Sequence, residues 1–185
     1  MLTPVHARLV SLSAAIAAGK PAAVAEHAEA AIREGASPAA VYETLLQSYL
    51  FLGFPRAIEA LFAAKPLLDR HGGVSGSAAR VDLTGWRDAG EALCRRVYGK
   101  NYGRLIETMR GLSPDLASWM ILEGYGKTLS RPALDPIARE YCVVAILTVT
   151  KMWRQLRSHA IGTINVGGTR AGVRAVCAAR HANAG

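Results

Sequence analysis

Four times along this 185-residue chain a capping side chain stands directly before a proline: Thr3-Pro4, Ser37-Pro38, Ser113-Pro114 and Asp135-Pro136. A Ser, Thr or Asp oxygen can accept from the free amides of a first helical turn. Proline is tolerated at the first helical position, where its missing N–H costs nothing. Each pair therefore predicts a helix start, and the spacing leaves little room for sheet. The first helix should run through Arg8, Leu9, Leu12 and Ile16 to Gly19-Lys20-Pro21. A second follows through Val24, His27, Ala31 and Ile32 and stops at Gly35 in a C-terminal cap position. The third, from Ser37-Pro38, is apolar almost all round (Val41, Leu45, Leu46, Tyr49 to Leu52), which predicts a buried helix broken at Gly53-Phe54-Pro55. A fourth is expected over Arg56 to Leu68.

Asp69 to Gly85, with Gly72, Gly73 and Gly76, reads as a linker. Beyond it come an amphipathic helix over Trp86 to Tyr98, a shorter one over Asn101 to Met109, and one from Ser113-Pro114 to Gly124. Tyr125 to Leu134 reads as a turn-rich lead into the helix opened by Asp135-Pro136. The expected organisation is a first half over 1–70, a linker over 71–85 and a second half over 86–185, the halves packed as one unit. The fold class is all-α. Ala dominates the hydrophobic 51% of the chain, and Val, Ile and Thr fall mostly in short runs.

The sequence also repeats. Leu2 to Val41 can be laid without a gap on Leu134 to Val173 at an offset of 132, matching Leu2, Pro4, His27, Ala28, Ile32, Gly35, Ala39 and Val41 with identical residues. This predicts a helical bundle with internal two-fold pseudosymmetry.

Several function classes recede on composition. The longest apolar run, Tyr141 to Val149, is half the roughly 18 residues a membrane span needs. The N-terminal helix, peppered with His6, Arg8 and Ser11, lacks a signal pattern, so the expected compartment is the cytoplasm and no membrane partner is expected. Cys94, Cys142 and Cys177 form neither a CxxC nor a metal-ligand spacing, so no metal or cofactor is expected. Residues 1–70 hold six Lys/Arg and six Asp/Glu, so the whole net charge of +8 lies after residue 70, and no acid follows Glu140. The basic residues are neither clustered nor interleaved with aromatics, which argues against nucleic acid and for a small anionic molecule as partner, or for ordinary solubility.

The run Tyr125-Gly-Lys-Thr-Leu-Ser-Arg-Pro-Ala-Leu134, followed by Arg139-Glu140, Gln155-Leu-Arg-Ser-His159 and Gly167, resembles the carboxymuconolactone decarboxylase-like superfamily, which includes the alkylhydroperoxidase D-like proteins. In the first half His27, Gly35 and Gln47 to Pro55 are similar to the same family's His, Gly and Tyr-x-Gly-x-Pro stretch. The resemblance implies an all-helical duplicated fold, self-assembly as a homotrimer or homohexamer, and Glu140 with His159 as catalytic residues. The peroxidase branch carries a redox Cys-x-x-Cys whose cysteines fall on Met152 and Gln155 here, with a family His falling on Arg154. Without a thiolate and a resolving thiol, hydroperoxidase chemistry is disfavoured.

What remains is proton transfer. Glu140, one turn into an apolar helix, is expected to be partly buried, and His159 exchanges a proton near neutral pH. The expected activity is a cofactor-free lyase or isomerase of carboxymuconolactone decarboxylase type acting on a small carboxylated lactone or cyclic acid. Arg131, Arg154 and Arg157 are candidates for a carboxylate clamp, and Trp153 with Tyr125 for the pocket wall. Each has a plainer role available: an interface ion pair for Arg131, a solvated face for Arg154 and Arg157, core packing for Trp153. Glu140 could likewise serve only to tie two helices through Arg139, Arg131 or His159. His27 has Arg8 where the second half has Glu140, and reads as scaffold. The alternative is a non-catalytic oligomeric binding or assembly protein on the same scaffold, with thiol redox through Cys142 a weaker third.

Overall fold

The computed structural model describes residues 2–73 and 81–179, so part of the expected linker (74–80) and the end of the second half lie outside the described residues. The described residues form helices and no strand: α1 (Pro4–Ala18), α2 (Pro21–Arg33), α3 (Pro38–Gln47), α4 (Tyr49–Arg70), α5 (Leu83–Tyr98), α6 (Tyr102–Leu112), α7 (Pro114–Trp119), a π-helix (Met120–Leu129), α8 (Pro136–Val149), α9 (Trp153–Asn165) and α10 (Arg170–Ala178). The capping side chains act as their chemistry dictates. Thr3, Ser37, Ser113 and Asp135 each accept from a backbone amide of the first turn they precede, and a proline opens all four helices.

Local structure recurs at the offset of 132. α1 and α8, α2 and α9, and α3 and α10 start at matched positions. The left-handed residues also match: Gly19 (φ 69°) with Lys151 (φ 58°), and Gly35 (φ 100°) with Gly167 (φ 110°). Lys151 is the only non-glycine residue with positive φ among those described. It holds a conformation that its first-half counterpart adopts without a Cβ.

α8 is the spine. Every residue from Ala138 to Thr148 is buried, so this helix is packed on all sides. Ala138 and Cys142 join Leu9, Leu12, Ile16, Val24, Val41, Leu45 and Leu67 in the first-half core. Tyr141, Val144 and Ala145 pack with Val10 of α1 and Val176 of α10. A third cluster, of Cys94, Val97, Ile121, Tyr125, Leu129 and Val166, joins α5 and the π-helix to the end of α9.

Three boundaries differ from the sequence expectation. Gly53 (φ 77°, ψ 166°) does break the helical dihedrals, but the chain resumes helix at once, and α4 runs on past Pro66 to Arg70. α5 begins at Leu83, capped by Asp82, inside the expected linker. The expected turn-rich lead over Tyr125 to Leu134 begins only at Ser130: before it the chain stays helical, in π winding, through Leu129. The cause is tertiary. A Cβ on Gly126 would overlap the carbonyl oxygen of Trp86, and one on Gly90 would overlap that of Ile121, so α5 and the π-helix touch backbone to backbone at two glycines. That contact holds a wide winding the local sequence would not choose by itself.

Candidate functional site

Glu140 and His159 meet between α8 and α9. Asp135 and Pro136 set the start of α8, which puts Glu140 on its second turn. α9 starts beyond the left-handed Lys151 and carries His159 back against it. His159 Nδ1 lies 2.9 Å from Glu140 Oε2, and the residues are only 7% and 4% exposed. The carboxylate accepts the Nδ1–H and so orients the ring. His159 Nε2 makes no hydrogen bond among the described residues and is not one of their occluded, unpartnered polar atoms. One imidazole nitrogen is thus committed to the carboxylate, and the other has no partner among the described residues.

Gly162 makes the approach possible. A Cβ there would lie 2.7 Å from Val97 Cγ1 and 3.0 Å from Glu140 Oε2, space that Glu140 and α5 occupy instead. Around the imidazole stand the rings of Phe51, edge-on at 5.7 Å, and Tyr98 at 6.5 Å; Tyr125 meets Tyr98 at 6.2 Å. Burial pushes the Tyr98 hydroxyl up to about 12, with Cys94 and Glu140 adding to the rise. Burial likewise raises Tyr125 well above the ordinary tyrosine value, helped by Tyr98 and Glu140. The Cys94 thiol is pushed up to about 12, chiefly by burial and then by Glu140. These groups stay protonated at neutral pH, as neutral donors beside one carboxylate.

The other sequence candidates divide. Tyr125 is buried in the shell of the pair. Arg131 points elsewhere: its Nε donates to Glu43 Oε1 at 2.7 Å, and the other oxygen of Glu43 takes Arg139 Nη2 at 2.9 Å. Arg139 also reaches Gln47 and the carbonyls of Leu134 and Arg131, a buried network that ties α3 to the start of α8. Trp153, Arg154 and Arg157 are exposed on the first turns of α9. At about 100° per residue they stand roughly 120°, 140° and 160° around the helix from His159, facing away from it. Met152 and Gln155, at the positions of the family's cysteines, are exposed as well; Cys94 and Cys142 are buried and Cys177 is half-buried, all three free. In the first half His27 is half-buried, and Arg8 pairs with Glu34 at 3.2 Å. Phe51, Tyr98 and Cys94 were not expected at the site. They arrive from α4 and α5, far away in sequence.

Among the described residues no three His, Cys, Asp or Glu side chains are grouped to hold a metal ion, and no helix is long and apolar enough to cross a membrane. The arrangement suits proton transfer. A neutral His159 can take a proton on Nε2, and the imidazolium that forms is stabilised by the Glu140 carboxylate.

Two comparisons bear on what this scaffold is. The model of the carboxymuconolactone decarboxylase family matches residues 1–66, the half without the Glu–His pair. Along nearly the whole chain, the sequence is 31% identical over 181 residues to Peroxisomal protein 2 of Schizosaccharomyces pombe, covering 92% of this chain and 81% of that protein. With the capped, all-helical fold, these similarities establish that the chain belongs to the carboxymuconolactone decarboxylase family.

Proposed function

We propose that Glu140 and His159 are the proton-transfer centre of a cofactor-free lyase or isomerase acting on a small carboxylated lactone or related cyclic acid. The observation that carries this reading is the 2.9 Å buried pair with His159 Nε2 left open. Decarboxylation beside a conjugated lactone needs no cofactor. The carboxylate carbon leaves as CO₂, the electron pair delocalises onto the lactone carbonyl, and His159, entering this step as the imidazolium, delivers its Nε2 proton to carbon and is reprotonated from water. Isomerisation uses the same atoms, with His159 first taking the proton it later gives back. Glu140 holds the ring and stabilises the imidazolium; Phe51, Tyr98 and Tyr125 wall the site and exclude water.

Loss of lactone absorbance in the ultraviolet tests this with the purified protein. Glu140→Gln and His159→Gln should each lower kcat by about 10²–10⁴-fold, the usual worth of a positioned acid–base group. The helical circular dichroism should not change. No turnover of any carboxylated lactone by the parent, or turnover indifferent to both substitutions, overturns the proposal.

A second reading is an oligomeric binding or assembly protein on the same scaffold. It is favoured by the large apolar side chains left in solvent, Phe54 and Phe62 on α4, Trp119 at the end of α7 and Trp153 on α9. On this reading the protein assembles as a trimer or hexamer, and assembly survives the Glu140→Gln/His159→Gln double substitution. The cytoplasm is the proposed compartment, with the peroxisome, after the name of the fission-yeast relative, as the alternative.

A further inference from the structure

A cleft of about 470 Å³ lies between α5 and the segment joining the π-helix to α8. Its walls are apolar along most of their length, with Leu93, Leu129 and Leu134 among them, and Arg96 and Arg131 add two guanidinium groups. Neither Glu140 nor His159 lines it.

The charges around this cleft do not cancel. Glu43, buried at 2% exposure, is shared by two arginines, Arg131 and Arg139. Arg96 and Asp135 stand at the cleft itself. Three guanidinium groups against two carboxylates leave one positive charge. The spare donors point to where it can be met. Arg131 commits Nε to Glu43, but its terminal nitrogens make no hydrogen bond among the described residues, and the side chain is 35% exposed. Arg96 donates from Nη2 to the Val166 carbonyl at 3.2 Å and is otherwise exposed. A guanidinium already held by one carboxylate loses little freedom on taking a second, which makes Arg131 a preset anchor.

We propose that this cleft binds a monocarboxylate with an apolar body, its carboxylate on the terminal nitrogens of Arg131 beside Arg96 and its body along Leu93, Leu129 and Leu134. A single negative charge balances the site, and the apolar walls select against small hydrated anions. The site is separate from the Glu140–His159 pair and does not depend on the reading of that pair as catalytic.

Isothermal titration of the full chain with octanoate and benzoate tests it, with 1-octanol, benzyl alcohol and sulfate as comparison ligands. Octanoate, benzoate or both should bind at one site per chain. Arg131→Gln, which leaves Glu43 paired with Arg139, should weaken binding by about tenfold or more, the scale of a lost charge-assisted contact. Arg96→Gln should weaken it less. The uncharged alcohols and sulfate should bind at least tenfold more weakly than the better carboxylate. Circular dichroism shows whether Arg131→Gln is folded; if it is not, Arg131→Lys and Leu93→Asp carry the same test, each expected to weaken binding. His159→Gln should leave binding unchanged while removing any turnover, which separates this proposal from the preceding one. The proposal is overturned by no binding of either carboxylate at millimolar concentration, by sulfate binding as tightly, or by binding that follows His159 rather than Arg131.

Discussion

Replacing Glu43 with Gln removes one negative charge from the best-buried ionic contact among the described residues. Glu43 accepts from Arg131 Nε at 2.7 Å and from Arg139 Nη2 at 2.9 Å, and the side chains of Glu43 and Arg139 are only 2% and 3% exposed. Burial already lowers the Arg139 pKa, and Glu43 is the chief group opposing that fall. Glutamine keeps the shape but turns an amide N–H₂ toward one of two cations, leaving Arg139 buried without its anion. Breaking a buried pair from one side costs about 3–5 kcal/mol. Against the roughly 5–15 kcal/mol that holds a typical folded chain, this is a large share. At about 2–4 °C per kcal/mol for a chain of this size, Tm should fall by roughly 6–20 °C. Urea unfolding followed by far-ultraviolet circular dichroism at pH 7 reads the loss directly. The double substitution Glu43→Met/Arg139→Met supplies the coupling, and should be less destabilised than the sum of the two single changes. A loss below about 1 kcal/mol for Glu43→Gln at an unchanged denaturant slope would refute the argument, because it would mean that Arg139 is well solvated.

Other expectations follow from single residues. Lys151→Gly relieves a left-handed side chain and should stabilise the fold by up to about 1 kcal/mol, seen as a higher urea midpoint. Gly162→Ala pushes a methyl group against Val97 and Glu140; it should cost about 1–3 kcal/mol in a urea melt, as overpacking does, and abolish any activity that needs the Glu140–His159 contact. Cys94 and Cys142, pushed up to about 12 and about 11 mainly by burial, should resist iodoacetamide at pH 8 until the protein is unfolded. The same shifts set an alkaline limit. Cys94, Cys142 and Tyr98 have folded pKa values above their ordinary values of 9.0, 9.0 and 10.0, so from about pH 9 the unfolded chain loses protons that the folded chain keeps. Stability measured by urea melts should therefore decline from about pH 9 toward pH 12, and a flat profile there would contradict the burial of these groups.

The sequence announces most helix starts because caps are local chemistry. Thr3, Ser37, Ser113 and Asp135 need only their own next turn to satisfy, and they do so. The left-handed positions are partly legible for the same reason, since Gly19 and Gly35 advertise them. Lys151 does not, and only the offset of 132 points to it. The π-helix was hidden because its cause is a contact between Gly90 and Gly126, thirty-six positions apart, which no local pattern encodes.

For the candidate site the division is sharper. Residue chemistry and family resemblance pick out Glu140 and His159 from the chain, and helical geometry alone already turns Arg154 and Arg157 away from His159. Tertiary structure decides the rest. Glu43, eighty-eight positions from Arg131, captures that arginine and puts it on another face. Phe51 from α4 and Tyr98 from α5 close around the imidazole. Caps, breaks and the repeat are set by neighbours along the chain, where a few dihedrals settle the outcome. Burial, ion-pair partners and the walls of a site are set by neighbours in space, and those exist only after the helices have packed.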